Sequence, residues 1–223
     1  MGNISVEEDL LASNSRVAAE NRRRCTADGV CLVNLMSSPG AGKTTLLERT
    51  AVTLRDRLRW AVVAGDIETR RDADRIARHG IPVVQLNTAG ACHLEAGQVA
   101  TALSELSLER LDLVIVENVG NLVCPAEFDL GEHHKVMILS VAEGHDKPGK
   151  YPLMFRESRL MVLSKVDLLP YTDFDEDKAI VDARSLNPAL EILRVSARTG
   201  VGLDEWCGWL AERTVEVQVR GRQ

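Results

Sequence analysis

The residues with the clearest chemical meaning stand in a short glycine-containing segment. Residues 37–45 read SSPGAGKTT, after an apolar run and before a helix-compatible segment. In that setting glycines let backbone N–H groups wrap phosphates, and the helix N-terminus adds partial positive charge. Lys43 would neutralise phosphate oxygens, and Thr44 would ligate Mg²⁺. We therefore predict a Walker A loop whose nucleotide-binding residues are Gly40, Ala41, Gly42, Lys43, Thr44 and Thr45.

One residue of this loop departs from the usual pattern. Ser37 stands where G-x-x-x-x-G-K-[ST] has its first glycine, although Gly40 and Gly42 are retained. The alternative interpretation is a glycine-rich turn that happens to precede a helix. Because the GKTT letters follow a predicted strand, we favour the phosphate loop.

Two acidic residues end apolar runs and are candidates for hydrolytic chemistry. Glu117 closes the run 111–116 and is followed by the letters NVG, the form of a Walker B acid before a glycine that turns toward a γ-phosphate. Glu117 would hold Mg²⁺ through water or position the attacking water, unless it is a solvent-facing strand-end acid. Asp66 ends another run, where ligands of open α/β sheets gather. The predicted catalytic residues are Lys43, Asp66 and Glu117, and the predicted magnesium ligands are Thr44, Asp66 and Glu117.

The segment LSKVD at residues 163–167 resembles the N-K-x-D motif with which GTPases read guanine. The Asp167 carboxylate can accept hydrogen bonds from guanine N1–H and from the exocyclic amine, and adenine offers no such donor pair. Lys165 would cover the base with its aliphatic stem. Ser164 replaces the usual asparagine, so we expect weaker GTP binding rather than loss of guanine preference. A further base-contacting loop is predicted at Ser196, Ala197 and Arg198.

Two cysteines and a histidine form a second candidate site. Cys92 and His93 follow the third predicted strand, and Cys124 lies shortly beyond the Walker B acid. Thiolate and imidazole are ligands that suit Zn²⁺ or Ni²⁺, and a fourth ligand must come from water, another residue or a symmetry mate. By spacing alone, separate buried cysteines are an equal alternative. His133 and His134 either add ligands or lie in a polar loop.

Short apolar runs alternate with helix-compatible segments over most of the chain. The strand-length runs are 30–36, 60–64, 81–86, 111–116, 136–141, 160–163 and 190–195, and the helical segments include 44–58, 94–106 and 174–186. The alternation predicts an α/β P-loop NTPase fold, with a doubly wound, mainly parallel sheet of about seven strands and helices on both faces. Residues 4–27 predict a helix that lies on the body or pairs with another subunit. We divide the chain into an N-terminal helical extension, 1–27, and a nucleotide-binding G domain, 28–223.

Composition excludes several classes of protein. The chain has 223 residues, 45% hydrophobic and 27% charged, with a net charge of −6, which is typical of one globular domain. This mild acidity predicts no attraction to nucleic acid or to a membrane surface. The apolar runs are strand-sized and the first residues lack an apolar centre, so we expect no membrane span or export signal and a cytoplasmic location. Five cysteines are an odd number, so no disulfide scaffold is expected, and we interpret Cys25, Cys31 and Cys207 as structural.

Five segments taken together closely resemble the HypB family, the GTPases that help insert nickel into nickel–iron hydrogenase. These segments are 37–48, 89–96, 117–125, 146–157 and 165–171. The similarity runs from about Val6 to Trp209, and its most specific part is the pairing of a Cys-His dipeptide with ENVGNLVCP. Some family members begin with a Cys-rich or His-rich nickel tract; the first residues here show neither, so we expect no high-capacity nickel storage.

The resemblance implies a slow, dimerising P-loop GTPase of the SIMIBI class that uses GTP or GDP, Mg²⁺ and Ni²⁺, with Zn²⁺ as an alternative occupant. It implies that Cys92, His93 and Cys124 bind the metal between subunits of a GTP- or metal-dependent homodimer. The implied partners are a hydrogenase maturation metallochaperone and the hydrogenase large subunit. Lys147 and Lys150 fall in the family's Asp-Lys-Pro stretch and are assigned to nucleotide contact across the dimer.

Two alternatives remain open at this point. A urease-type nickel GTPase shares the architecture but would carry Cys-Pro-His, whereas Cys124 and Pro125 are followed by Ala126. A nickel- or zinc-responsive scaffold would bind nucleotide structurally and barely hydrolyse it, and the intact Lys43 and Glu117 argue against that. Because the segment beside the γ-phosphate leads to Cys124, the sequence also predicts that nucleotide state changes metal binding.

Overall fold

The computed structural model describes residues 6–66, 71–88 and 90–221, and for residues 6–10, 66 and 71 only the backbone. The strands are β1 (Cys31–Ser37), β2 (Trp60–Asp66), β3 (Val83–Asn87), β4 (Leu113–Glu117), β5 (His134–Ser140), β6 (Leu160–Ser164) and β7 (Glu191–Val195). The α-helices of the described residues are α1 (Val6–Ala27), α2 (Lys43–Thr53), α3 (Arg71–Ala77), α4 (Ala96–Glu105), α5 (Cys124–Glu127), α6 (Lys147–Lys150), α7 (Pro152–Glu157), α8 (Glu176–Leu186) and α9 (Leu203–Gly221).

The strands form one sheet in the order β3-β2-β4-β1-β5-β6-β7. Every neighbouring pair is parallel. The predicted α/β P-loop NTPase fold with about seven parallel strands is confirmed. The chain leaves β1 to build one half of the sheet and then returns to build the other, so the order reverses beside β1. Ligands of open α/β sheets bind at such a reversal, outside the carboxyl ends of the strands.

Alternating side chains of β1 supply the core on both faces of the sheet. Val33 and Leu35 belong to a cluster with Trp206 of α9. On the other face Leu32 packs with residues of α1 and α4, and Met36 with residues of α7 and α8. Asn34 lies between Leu32 and Met36, and together with Ser37 at the end of the strand it is one of two polar residues in this fully buried strand.

The N-terminal helix α1 packs on the body of the protein. Ala18 and Cys25 are buried, and Asn21 donates hydrogen bonds from Nδ2 to Ala96 O and Leu130 O, both at 2.9 Å. These bonds tie α1 to the start of α4 and to the loop before β5. Of the two arrangements considered for this helix, the structure has the one on the body, and the domain boundary after residue 27 stays a prediction.

The segment between β5 and β6 contains structure that the apolar pattern missed. The short helices α6 and α7 lie there, each with a proline in its first turn. Proline fits that position because its absent N–H would have no helical partner. The helix predicted over 44–58 ends earlier, at Thr53, and Leu54 caps it. Among the described helices none is long and apolar enough to cross a membrane.

The half-buried His133 makes the stability of the fold depend on pH. Its Nδ1 accepts a hydrogen bond from Leu32 N–H at 2.9 Å, and its Nε2 lies 2.9 Å from Thr26 Oγ1. Burial, helped by His134 and nearby arginines, lowers the His133 pKa to about 4. Between pH 6.5 and 4 the unfolded chain therefore binds a proton that the folded chain excludes.

We expect the free energy of unfolding to fall as the pH drops through this window, with His133 contributing up to roughly 3 kcal/mol of the loss. Chemical denaturation from pH 7 to pH 4.5 measures the slope. In His133→Gln the slope should be shallower, because the titrating imidazole is gone. An unchanged slope in this variant would show that other groups cause the acid sensitivity.

Candidate functional site

The phosphate loop, residues 37–45, connects β1 to α2 at the strand reversal. Gly40 and Gly42 have φ of +74° and +104°, a left-handed conformation that favours glycine. The Lys43 ammonium donates a hydrogen bond to Ser37 Oγ at 2.9 Å. Ser37, which replaces the first glycine of the Walker A pattern, thus contacts Lys43, the lysine that is predicted to bind phosphate.

Thr44 and Glu117 meet beside this loop. Thr44 Oγ1 donates a 2.7 Å hydrogen bond to Glu117 Oε1, while Glu117 Oε2 is buried with no hydrogen-bond partner. Burial raises the pKa of Glu117 above its usual value, against the opposing effects of Thr44 and Lys43. A hydroxyl beside a carboxylate with a free buried oxygen suits a hydrated Mg²⁺, which prefers oxygen ligands. Asp66 ends β2, but its side chain lies outside the described residues, so its assignment stays a prediction.

A cavity of about 240 Å³ opens next to Glu117. It is lined by residues of the phosphate loop, of β2 and α3, and of the segment after β4, among them Lys43, Gly65, Asp72, Glu117 and Gly120. A Cβ built on Gly120 would lie 2.9 Å from the Pro39 backbone. The segment after β4 therefore rests directly on the phosphate loop, where a γ-phosphate would lie.

A second cavity, of about 270 Å³, borders Ala41 and Gly42 of the phosphate loop. It brings together the predicted base-reading residues and the start of α2, including Gly42, Thr45, Ser164, Lys165, Asp167, Ala197 and Arg198. Ser196 borders this group, because its Oγ donates a 2.6 Å hydrogen bond to Asp167 Oδ1. The phosphate loop, the segment after β4 and the base-reading segments thus converge on the two cavities.

Ser164 and Lys165 tie the base-reading segment to the phosphate loop. Ser164 Oγ donates to Ala41 O at 2.9 Å, and Lys165 Nζ donates to Gly40 O at 2.7 Å. Lys165 has φ of 59°, and among the described residues it is the one non-glycine residue with positive φ. Ser164 stands where the motif usually has asparagine. Its hydroxyl therefore supplies a link to the phosphate loop in place of the asparagine amide.

Cys92, His93 and Cys124, here called the metal cluster, come together beyond the carboxyl ends of β3 and β4. Their ligating atoms all lie within 4.8 Å of one another, and they form the one such group found among the described residues. Cys92 Sγ lies 2.9 Å from Cys124 Sγ and 3.4 Å from His93 Nδ1. The alternative of separate buried cysteines is wrong, because Cys92 is exposed and Cys124 is partly exposed.

Two local structures hold the ligands of the metal cluster. Glu95 and Gln98 form a capping box at the start of α4, which fixes the backbone just after His93. Cys124 is the first residue of α5, and the His93 ring stacks on Phe128 with ring centroids 3.8 Å apart. Phe128 follows α5 in the sequence without any pattern that marks it, so sequence analysis missed it. Asp72 of the first cavity was also missed.

The protonation states of the metal cluster and the carboxylates near it suit a bound cation. Burial lowers the pKa of His93, which keeps its imidazole in the neutral, ligating form near neutral pH. The hydrogen bond with Cys92 and burial raise the pKa of Cys124, so a bound metal must displace a thiol proton. The carboxylates of Glu95 and Glu127 act electrostatically on His93.

The other predicted ligands and contacts lie elsewhere. His133 is bonded to Leu32 N–H, and the His134 ring lies edge-on to Trp209 at 5.6 Å, so neither joins the metal cluster. Cys25, Cys31 and Cys207 are buried, in agreement with the structural role predicted for them. Lys150 pairs with Asp146 at 2.5 Å. The predicted contact of Lys147 and Lys150 with nucleotide across a dimer stays a prediction.

Known proteins resemble this chain over nearly its whole length. Residues 31–194 match a family model described as "CobW/HypB/UreG, nucleotide-binding domain". Hydrogenase maturation factor HypB of Escherichia coli strain K12 is 52% identical over 207 residues, covering 93% of this chain and 71% of that protein. A crystal structure of HypB from Helicobacter pylori in complex with nickel has a TM-score of 0.88 at 38% identity, covering 92% of this chain and 96% of that one. HypB from Archaeoglobus fulgidus has a TM-score of 0.86 at 37% identity, covering 92% and 100%.

Proposed function

The chain belongs to the HypB family of hydrogenase maturation factors, P-loop proteins of the CobW/HypB/UreG group, and from this premise we propose that it is a GTP-hydrolysing nickel metallochaperone. It helps deliver nickel to the active site of nickel–iron hydrogenase during maturation. The observation that carries the proposal is the metal cluster, whose ligating atoms lie within 4.8 Å of one another. One of its ligands, Cys124, lies seven residues beyond Glu117 on the segment that follows β4. Its partners are a hydrogenase maturation metallochaperone and the hydrogenase large subunit.

In this proposal the phosphate loop binds the nucleotide phosphates, and Glu117 acts in GTP hydrolysis. Backbone N–H groups around Gly40 and Gly42 bind the β-phosphate, and Lys43 leaves Ser37 to neutralise the γ-phosphate oxygens. Thr44 and Glu117, with Asp66, would hold Mg²⁺, which would neutralise charge on the phosphates. Glu117 orients the attacking water through its free oxygen. A nucleotide that gates nickel binding needs only slow hydrolysis, which returns the protein to its GDP state.

Guanine selection belongs to the second cavity. The Asp167 carboxylate accepts from guanine N1–H and the exocyclic amine, and the Ser196 hydroxyl holds that carboxylate in place. Lys165, fixed on Gly40 O, covers one face of the base with its stem. The chain therefore binds GTP and GDP in preference to adenine nucleotides.

Replacing Asp167 with asparagine tests this selection. We expect Asp167→Asn to bind GDP roughly 10- to 100-fold more weakly, because a charged acceptor of hydrogen bonds is lost. Xanthine nucleotide should bind the variant better than the parent, since the new amide can donate to the extra carbonyl. Calorimetric titrations with GDP, ADP and xanthosine diphosphate measure the change. Equal GDP affinity in both proteins would show that Asp167 does not bind the guanine base.

Nickel is the cargo of the metal cluster. Two thiolates and one neutral imidazole bind Ni²⁺, and Zn²⁺ competes for the same ligands. Cys92 is exposed, so the cluster is open to a second copy of the chain, and in a homodimer paired thiolates favour a square-planar site that suits nickel better than zinc. Thiolate ligands must stay reduced, which places the protein in the cytoplasm.

The decisive experiment for the proposed function is a nickel titration of the reduced protein in two nucleotide states. We expect thiolate-to-nickel charge-transfer absorbance in both, with nickel affinities that differ by roughly 5- to 150-fold between GDP and a non-hydrolysable GTP analogue. Nickel must change GTP-analogue affinity by the same factor, because binding linkage is reciprocal. Absence of a charge-transfer band would end the nickel proposal, and identical affinities in both states would end the gating part of it.

A further inference from the structure

A buried polar chain runs beneath the metal cluster and through the centre of the sheet. It consists of Asn118, Asn34, Glu132 and Lys135, and we call it the polar chain. Asn34 is fully buried in β1; its Oδ1 accepts from Asn118 Nδ2 at 3.1 Å, and its Nδ2 donates to Glu132 Oε1 at 3.3 Å. An amide at the centre of a buried strand costs free energy unless both ends are bonded, and here both are.

One end of the polar chain holds the segment of Cys92 and His93. Asn118 follows the predicted Walker B acid Glu117 and is 1% exposed. Its Oδ1 accepts from the backbone N–H of Leu94 at 3.2 Å and of Val119 at 2.9 Å. Leu94 is the residue after His93, so one buried amide joins the nucleotide-side segment to the first two metal ligands.

The other end holds the helix of Cys124. Glu132 Oε2 accepts from Leu130 N–H at 2.7 Å, and Lys135 Nζ lies 3.9 Å from Glu132 Oε1. Lys135 Nζ also donates to Ala126 O at 2.8 Å, within α5, of which Cys124 is the first residue. Asn34 of β1 is paired in register with Lys135 of β5, so the path from Asn34 through Glu132 to Lys135 is short.

The polar chain therefore connects two segments that lie far apart in sequence and together supply the metal cluster. A fully satisfied buried polar network selects one arrangement of the elements that it joins, whereas an apolar core of the same volume would often be as stable. The arrangement selected here is the one in which both thiolates and the imidazole face a common point.

We propose that the polar chain is a positioning unit that sets the geometry of the metal cluster and links it to the segment of Glu117. Asn34 and Lys135 touch neither metal nor nucleotide; they act through Leu94, Ala126 and Asn118. The inference rests on the proposed function, since it concerns nickel bound by the metal cluster. It adds to that function the residues that carry the coupling between nucleotide and nickel.

The test compares three variants of the full chain: Asn34→Leu, Lys135→Met and Thr214→Val. Asn34→Leu breaks the polar chain at its centre, and Lys135→Met removes both the bond to Ala126 O and the ion pair with Glu132. Thr214→Val is the control, because Thr214 is a buried polar residue of α9 whose hydroxyl donates to Leu210 O at 2.8 Å. Nickel affinity is measured from charge-transfer absorbance with GDP and with the GTP analogue, and nucleotide affinity is measured without nickel.

In Asn34→Leu and Lys135→Met we expect nickel affinity to fall at least about tenfold, as for residues that orient metal ligands. The ratio of the nickel affinities in the two nucleotide states should fall toward one, while GDP affinity stays within about twofold of the parent. Thr214→Val should match the parent in all three quantities. If Asn34→Leu does not fold, Lys135→Met decides alone.

Parental nickel affinity and parental nucleotide dependence in Lys135→Met would overturn the inference. So would an equal loss of nickel affinity in Thr214→Val, since any buried polar change would then suffice. A parent that shows no charge-transfer band contradicts the proposed function itself, which separates the two failures.

Discussion

Cys92→Ala and Cys124→Ala will each weaken the thiolate-to-nickel charge-transfer band and weaken nickel binding by more than about 100-fold. Changes to residues that merely orient metal ligands cost about 10- to 100-fold in affinity, and these substitutions remove a ligand outright. The two sulfurs lie 2.9 Å apart, so one ion can contact both, and loss of either leaves a site without its thiolate pair. Nickel titration of the reduced variants, followed by ultraviolet absorbance, measures the effect.

Cys207→Ala is the matched control for these variants. Cys207 is buried in α9, and burial raises its pKa to about 11, so it does not form a thiolate at neutral pH. The control should keep the full charge-transfer band and the parental nickel affinity. A band of parental intensity and parental nickel affinity in both Cys92→Ala and Cys124→Ala would show that the nickel is held by other residues.

Lys43→Ala will lower the single-turnover rate of GTP hydrolysis by roughly 100- to 1000-fold. Groups that stabilise developing charge in a transition state are worth about this factor, and Lys43 is the cation positioned in the phosphate loop beside Glu117. Its ammonium bonds Ser37 Oγ at 2.9 Å, and in the proposed mechanism the γ-phosphate replaces that hydroxyl as its partner. Quenched single-turnover reactions with labelled GTP give the rate without interference from product release.

Lys178→Ala, an exposed lysine of α8, should hydrolyse GTP at the parental rate. Nickel binding in the GDP state should be unaffected by Lys43→Ala, because the metal cluster lies outside the phosphate loop. Equal hydrolysis rates in the parent and in Lys43→Ala would favour the scaffold hypothesis, in which nucleotide is bound structurally and barely hydrolysed.

The chemistry of the nucleotide site was predictable because its parts are contiguous in the sequence. The phosphate loop at 37–45 and the base-reading segment at 163–167 each have their predicted nucleotide-binding residues within a few positions, so local spacing is enough to predict them. The strands were also predictable, since strands buried on both faces must be almost wholly apolar. The short helices α6 and α7 were missed because two prolines interrupt the helical period on which such predictions depend.

Sheet order, by contrast, decided which distant residues meet. Spacing alone left Cys92 and Cys124 equally well explained as separate buried cysteines, and only the adjacency of β3, β2 and β4 in the sheet brings the loops after β3 and β4 together. Ser164 looked like a lost contact in the sequence, but the fold places its hydroxyl against Ala41 O.

Asn34 illustrates the same limit most clearly. In the sequence it is one polar letter inside an apolar run, and nothing near it indicates a partner. Its bonds go to Asn118 and Glu132, which reach it from two other parts of the chain. The sequence by itself determined which chemistry this protein carries, because each motif is local. Tertiary structure alone decided how the nucleotide and metal sites are joined, because a buried hydrogen bond requires partners that only the packed sheet brings within 3.5 Å.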